Sequence, residues 1–119
     1  MLFRSIISES PLPVDNQGKG EAFSPTDLLA TSLGACAMTI MGIKGRDLQL
    51  DLSQTRIEVE KIMKANPRRV GGLNLTFHFP KTVGADEHQR LLLERCARTC
   101  PVFYSIHPDI EVTTTFHWE

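Results

Sequence analysis

Runs and alternations of apolar residues divide the chain into a few predicted helices and strands. The longest apolar run lies between Asp27 and Lys44, and it is hydrophobic on nearly every side, which is typical of a helix buried in a core. Ser24 and Pro25 precede it as an N-cap and a first helical residue, and Gly45 follows as an end signal. The run is shorter than the roughly 20 residues that cross a bilayer, so we expect a buried core helix and no membrane association.

Strict alternation after this helix predicts strands. Ile57 and Val59 alternate with charged residues, and a second alternating segment follows a turn, so residues 55–63 and 72–79 are expected to form an antiparallel pair. A last alternation predicts a closing strand at about 110–118.

Other segments complete the predicted fold. Residues 85–99 have the pattern of an amphipathic helix, and Pro101 ends that helix and begins a short second one. The residues around Ile6 and Ile7 suggest a short strand, followed by a loop rich in turn-forming residues. The order strand, long helix, two strands, helix and strand predicts an α+β domain, with an antiparallel sheet packed on the long central helix.

Length, charge and cysteine content narrow the class of protein. The 119 residues suit one domain, spanning 1–119. The formal net charge is −1, so there is no basic surplus of the kind that binds nucleic acid. Three cysteines cannot all pair within one chain, and the first residues do not have the pattern of a secretory signal. We therefore expect a cytoplasmic protein whose thiols stay reduced.

The three cysteines are the candidates for chemistry. A free cysteine is most often a small buried hydrophobe, and Cys96 falls in the apolar stripe of its helix, so we interpret it as packing. Cys100 precedes Pro101 and stands at a helix N-terminus, where the helix dipole favours a thiolate. Cys36 lies about three turns inside its helix, so a thiolate there needs a cation or donor from another segment.

Two other interpretations of the cysteines compete with thiol chemistry. Cys96, Cys100 and His107 have the spacing C-x3-C-x6-H, which resembles half of a zinc site. Further histidines are available at His78, His88 and His117. Structural zinc usually shows two tight ligand pairs, whereas this chain has one loose pair, so we expect no metal. In the second interpretation, all three cysteines are core residues of a structural domain.

Two motifs together resemble a known family. The stretch SPTDLLATSLGACAMT around Cys36 and the stretch TCPV at Cys100 are similar to the paired cysteine motifs of the OsmC/Ohr family, the osmotically inducible and organic hydroperoxide resistance proteins. The segment VDNQGKGEAFSPTD resembles the loop before the central helix in an OsmC-like subgroup. The resemblance covers roughly residues 13–118. It implies an OsmC-like fold and an intertwined homodimer, with the long helices at the centre and the active sites at the subunit interface.

The resemblance also implies a reaction. The residue matching Cys36 attacks an organic hydroperoxide as a thiolate and becomes a sulfenic acid, and the residue matching Cys100 then forms a disulfide with it. An external dithiol reduces that disulfide, and neither a metal nor an organic cofactor takes part. The expected activity is therefore a peroxiredoxin-like organic hydroperoxide reductase that serves in oxidative stress defence.

The sequence departs from the peroxidase branch at two places. In that branch an arginine from an N-terminal hairpin activates the attacking cysteine, and a glutamate ten positions before the cysteine orients the arginine. Here that position is Thr26, followed by Asp27, and the hairpin is shortened, which leaves Arg4 as the arginine ahead of the helix. Arg4 is the candidate activating cation and Asp27 the candidate orienting acid, although Asp27 also suits helix capping. These departures leave open a non-enzymatic OsmC-like dimer that senses redox state or binds a small apolar ligand.

Overall fold

The structure is a computed structural model that describes the backbone of residues 2–5 and all of residues 24–119. Its elements, in chain order, are β1 (Leu2–Ser5), α1 (Pro25–Asp47), β2 (Arg56–Lys64), β3 (Arg69–Phe79), α2 (Glu87–Cys96), α3 (Pro101–Ser105) and β4 (Glu111–Trp118). The strand predicted around Ile6 and Ile7, and the loop that follows it, lie outside the described residues.

The start of α1 is built by its own first residues. The Asp27 N–H donates to Ser24 Oγ at 3.2 Å, and the Ser24 N–H donates to Asp27 Oδ2 at 3.1 Å, which together form a capping box. The predicted start is therefore confirmed. The predicted end at Gly45 is wrong, because the helix continues to Asp47. Gly45 leaves room for a neighbouring side chain instead, since a Cβ there would lie 2.7 Å from Leu52 Cδ1.

One side of α1 packs on the sheet. By length and composition this helix is long and apolar enough to cross a bilayer, but its inner residues contact the buried side chains of β2 and β3. The buried residues of α1 include Ala30, Leu33, Ala37 and Met41. The prediction of a core helix is confirmed on this side, whereas the opposite side is exposed at Leu28, Ser32, Ala35, Thr39, Ile43 and Arg46.

The sheet contains four strands in the order β1-β2-β3-β4 within the described residues. The central pair, β2 and β3, is antiparallel as predicted. The outer pairs β1/β2 and β3/β4 are parallel, so the sheet is mixed and not wholly antiparallel. The reason is connectivity, because the chain passes from β3 to β4 through α2 and α3, and such a crossover returns the strand in the same direction.

The inner face of the sheet forms the core with α1 and α2. Phe77, Phe79 and Leu93 are fully buried. The Phe79 ring stacks on Trp118 with a centroid distance of 3.8 Å. The helix α2 begins at a second capping box, formed by Asp86 and Gln89. The amphipathic helix and the closing strand predicted from the sequence are both confirmed.

Candidate thiol site

Cys36 and Cys100 meet where α1 contacts α3. Cys36 is half-buried in the middle of α1, and Cys100 is fully buried as the N-cap of α3. The two thiols are neighbours, because Cys36 affects the pKa of the Cys100 thiol. The fold therefore brings together the two cysteines that the family resemblance paired, while their redox roles stay a prediction.

The surroundings of Cys100 favour a neutral thiol. Burial raises the pKa of the Cys100 thiol above its ordinary value, the Phe103 N–H opposes this, and the neighbouring Cys36 raises the pKa further. The Phe103 N–H donates to Cys100 Sγ at 3.4 Å. Cys100 does cap a helix, as predicted, but the expectation of a favoured thiolate there is wrong. Desolvation outweighs the effect of a short helix on this thiol.

Asp27 and Lys61 form a buried ion pair at the start of α1. Lys61 Nζ lies 3.0 Å from Asp27 Oδ1, and the side chains are 13% and 5% exposed, respectively. The same ammonium donates to Thr26 Oγ1 at 2.6 Å and to Ser24 Oγ at 3.2 Å. Burial by itself would raise the pKa of Asp27, but Lys61 and the hydrogen bonds from Ser24 outweigh it, so the pKa is lowered.

These contacts show what Asp27 does in the fold. It caps α1, as one of the two sequence interpretations proposed, and it also holds the start of α1 on β2 through Lys61. Thr26, at the position of the family's glutamate, accepts a hydrogen bond from this lysine. A role of Asp27 in orienting an arginine stays a prediction.

Lys61 is a residue that sequence reasoning did not single out. The alternation in β2 placed it on the same face as Ile57 and Val59, which are buried. A lysine at a buried strand position is itself a signal, because a buried ammonium needs a partner. The spacing along the chain did not reveal that this partner is Asp27.

The position of Arg4 is known from strand pairing alone. Arg4 pairs with Glu58, whereas Phe3 and Ser5 pair with the buried Ile57 and Val59. Paired residues share a face of the sheet, so Arg4 belongs to the face of Glu58 and not to the face on which α1 packs. Its side chain lies outside the described residues. The register gives no support to Arg4 beside Cys36 of the same chain, and its activating role stays a prediction.

The remaining candidate ligands are dispersed. Cys96 packs against the core as predicted, and burial raises its pKa, which Lys44 lowers by a smaller amount. The His78 and His117 rings stack on the outer face of the sheet, 5.0 Å apart. In the part of the chain that the structure describes, no group of three or more His, Cys, Asp or Glu side chains is arranged to hold a metal ion.

Comparison with known proteins identifies the family. The model of the OsmC-like protein family matches residues 18–115, so the chain belongs to that family. A structure from Psychrobacter arcticus 273-4, of a protein named for osmotic stress induction and a detoxification response, has 50% sequence identity and a TM-score of 0.80. That match covers 91% of this chain and 77% of the other. No curated protein matches the sequence significantly.

More distant structures share the fold. The OsmC organic hydroperoxide resistance protein of Legionella pneumophila has 20% identity and a TM-score of 0.67, over 83% of this chain and 72% of that one. OhrB of Bacillus subtilis, an organic hydroperoxide resistance protein, has 16% identity and a TM-score of 0.62, over 80% and 70% of the respective chains. The predicted OsmC-like α+β fold is thereby confirmed.

Proposed function

We propose that this protein is a thiol-dependent peroxidase that reduces organic hydroperoxides and protects the cytoplasm from oxidative stress. The observation that carries the proposal is that Cys36 and Cys100 lie close together where α1 meets α3. A cysteine that is oxidised and a cysteine that resolves it must approach within bonding reach. Membership in the OsmC-like family, and the names of the OsmC and OhrB proteins that share the fold, support the same activity.

The proposed cycle has three steps. The Cys36 thiolate attacks one peroxide oxygen, the O–O bond breaks, and the other oxygen takes up a proton and leaves as the alcohol. The Cys100 sulfur then attacks the Cys36 sulfenic acid, an S–S bond forms, and water leaves. An external dithiol reduces this disulfide by two exchange reactions and is itself oxidised to a disulfide. The cycle uses no metal and no organic cofactor.

The exposure of Cys36 and the pKa of Cys100 support Cys36 as the residue of the first step. Cys100 is fully buried and its pKa is raised, so it stays a neutral thiol near pH 7. Cys36 is only half-buried and lies on the border of the exposed side of α1, where a small hydroperoxide has access. The neutral Cys100 thiol is suited to the second step.

The proposed active form is the intertwined homodimer implied by the family, joined through the exposed side of α1. Leu28 and Ile43 on this side are 37% and 50% exposed, and the residues between them include the small Ala35 and Thr39. A second copy on this surface would lie beside Cys36, leave a gap for a small hydroperoxide, and supply the cation that activates the thiol. Ile43→Glu places a charge in the proposed interface. We expect it to yield a monomer by light scattering, whereas a dimer that is unchanged by this substitution contradicts the interface.

Thiol counting tests the peroxidase activity. Reduced protein is treated with one equivalent of cumene hydroperoxide, and peptides are mapped by mass spectrometry. We expect the wild type to lose two thiols and gain a Cys36–Cys100 disulfide, and to turn over with dithiothreitol. Cys36→Ser should abolish consumption, Cys100→Ser should stop after one oxidation, and the matched control Cys96→Ser should cycle normally. A wild type that consumes no hydroperoxide in the presence of dithiol refutes the proposal.

A redox sensor that uses the same two thiols is the second candidate. It is favoured by Thr26, which stands in place of the family's glutamate and binds Lys61 instead of orienting an arginine. A slow, single oxidation to the disulfide without sustained turnover would support the sensor. Sustained turnover with excess hydroperoxide and dithiol would exclude it.

A further inference from the structure

A cavity of about 330 Å³ opens beside the first turns of α1, and neither Cys36 nor Cys100 lines it. Its walls come from the start of α1, from the end of the β2–β3 hairpin and from the segment between α3 and β4. This volume falls at the lower end of the range of about 300–1,000 Å³ that is typical of small-molecule sites.

The walls of the cavity are mainly apolar. Leu29 from α1, Val70 from β3 and Ile110 before β4 provide them. Val70 is only 8% exposed, and Leu29 and Ile110 are half-buried against the core. Such walls favour a ligand with an apolar body, because burying apolar surface is the main source of affinity in a small pocket.

Two cations border the same cavity. Lys64 lies across Gly71 on the neighbouring strand, in space that is open because glycine has no side chain. A Cβ at Gly71 would lie 2.4 Å from Lys64 Cγ. Arg69 is held by the hairpin turn, where its Nη1 donates to the Ala65 and Pro67 carbonyls at 2.9 and 2.8 Å. A guanidinium has further N–H donors for a ligand.

The charges of the cavity do not cancel. Asp109 is the acid among its lining residues, and its side chain is 86% exposed and lies 3.8 Å from His107 Nδ1. The cavity is lined by two positive charges, from Lys64 and Arg69, and by one negative charge, from Asp109, so its net charge is positive when His107 is neutral. An anionic group is therefore attracted to this end of the cavity.

We propose that this cavity binds a small organic anion. The apolar body of the ligand lies against Leu29, Val70 and Ile110, and its carboxylate lies near Lys64 and Arg69. A bare inorganic anion would leave the apolar walls unused, and a cationic amphiphile would meet like charge. The proposal does not depend on the thiol chemistry, because the cavity is separate from the cysteine pair.

Titration with octanoate tests the proposal, with binding followed by NMR chemical shifts of the reduced wild-type protein. We expect saturable binding that is several-fold tighter than that of 1-octanol, which lacks the charge, and no saturation with acetate, which lacks the apolar body. Lys64→Gln should weaken octanoate binding about threefold, as expected for loss of one exposed charge contact. Arg68→Gln is the matched control, since Arg68 is an exposed arginine of the same turn that does not line the cavity.

Two further variants distinguish binding in this cavity from a general effect of the protein's net charge. Gly71→Ala displaces the Lys64 side chain without changing the net charge, so it should weaken octanoate binding more than it weakens octanol binding. Cys36→Ser should bind octanoate like the wild type. The proposal is overturned if octanol binds as tightly as octanoate, if Lys64→Gln and Arg68→Gln weaken binding equally, if octanoate does not saturate, or if binding requires Cys36.

Discussion

The buried pair of Asp27 and Lys61 allows a direct test of how α1 is held on the sheet. Lys61→Met removes the ammonium and keeps most of the apolar volume of the side chain. At the observed separation of 3.0 Å, two unit charges attract by roughly 5–6 kcal/mol at an effective dielectric constant of about 20. Desolvation of both groups offsets much of this attraction in the wild type.

The cost of the substitution comes from the carboxylate that remains. Removing one partner of a buried pair typically costs about 3–5 kcal/mol. Asp27 keeps the hydrogen bond from the Ser24 N–H. We therefore expect Lys61→Met to lower the free energy of unfolding at pH 7 by about 3 kcal/mol, the lower end of this range. Asp27→Asn should cost about 2 kcal/mol, because the Lys61 ammonium keeps its hydrogen bonds to Ser24 and Thr26. The double variant should cost less than the sum, with a coupling of about 1–2 kcal/mol.

Urea unfolding at a fixed protein concentration measures these values, since any dimerisation makes stability concentration-dependent. Lys64→Met is the matched control, because Lys64 is exposed on the same strand and should change stability by less than about 0.5 kcal/mol. The folded-state pKa of Asp27 is lowered, so its contribution is full above its unfolded pKa of about 3.9. That contribution is lost as the pH falls through the folded value. The wild type should therefore lose more stability below about pH 4 than Asp27→Asn. Additive costs and parallel acid profiles would refute this reasoning.

Three other predictions concern single contacts. Gly45→Ala brings a Cβ within 2.7 Å of Leu52 Cδ1. It should lower the free energy of unfolding by about 1 kcal/mol, because the overpacking cost exceeds the gain in helix propensity, and a higher thermal midpoint would contradict the packing role of this glycine. Ser24→Ala removes the N-cap of α1 and should lower the free energy of unfolding, measured with urea, by about 1 kcal/mol. An unchanged free energy of unfolding would contradict the capping box. The raised pKa of Cys100 predicts that stability falls as the pH rises above the unfolded value of about 8.5. Cys100→Ala should flatten this slope between pH 7 and 10, and an unchanged slope would show that Cys100 does not cause it.

Local signals were sufficient where an element depends on its own residues. The capping box of Ser24 and Asp27 predicted the start of α1, and the alternation around Ile57 and Val59 predicted β2. Gly45 was misleading because the sequence does not distinguish a glycine that ends a helix from a glycine that leaves room for a neighbouring side chain. The neighbour, Leu52, is what distinguishes them.

The candidate site depended more on tertiary structure. Cys36 and Cys100 were paired by resemblance to a family, and the fold then placed them close together where α1 meets α3. Spacing alone did not predict this proximity, because it requires α1 and α3 to pack together. Burial also reversed the expectation for Cys100, since the desolvation of a thiol depends on what surrounds it in space and not on its neighbours in the chain.

By itself the sequence determined the helices, the central strand pair, the capping of α1 and the family to which the chain belongs. Only the tertiary structure decided the parallel placement of β4, the ion pair of Lys61 with Asp27 and the neutral state of the Cys100 thiol. Capping and periodicity act over a few residues, so they can be read along the chain. Strand order, charge pairing and desolvation depend on residues that are distant in sequence, and the fold alone brings those together.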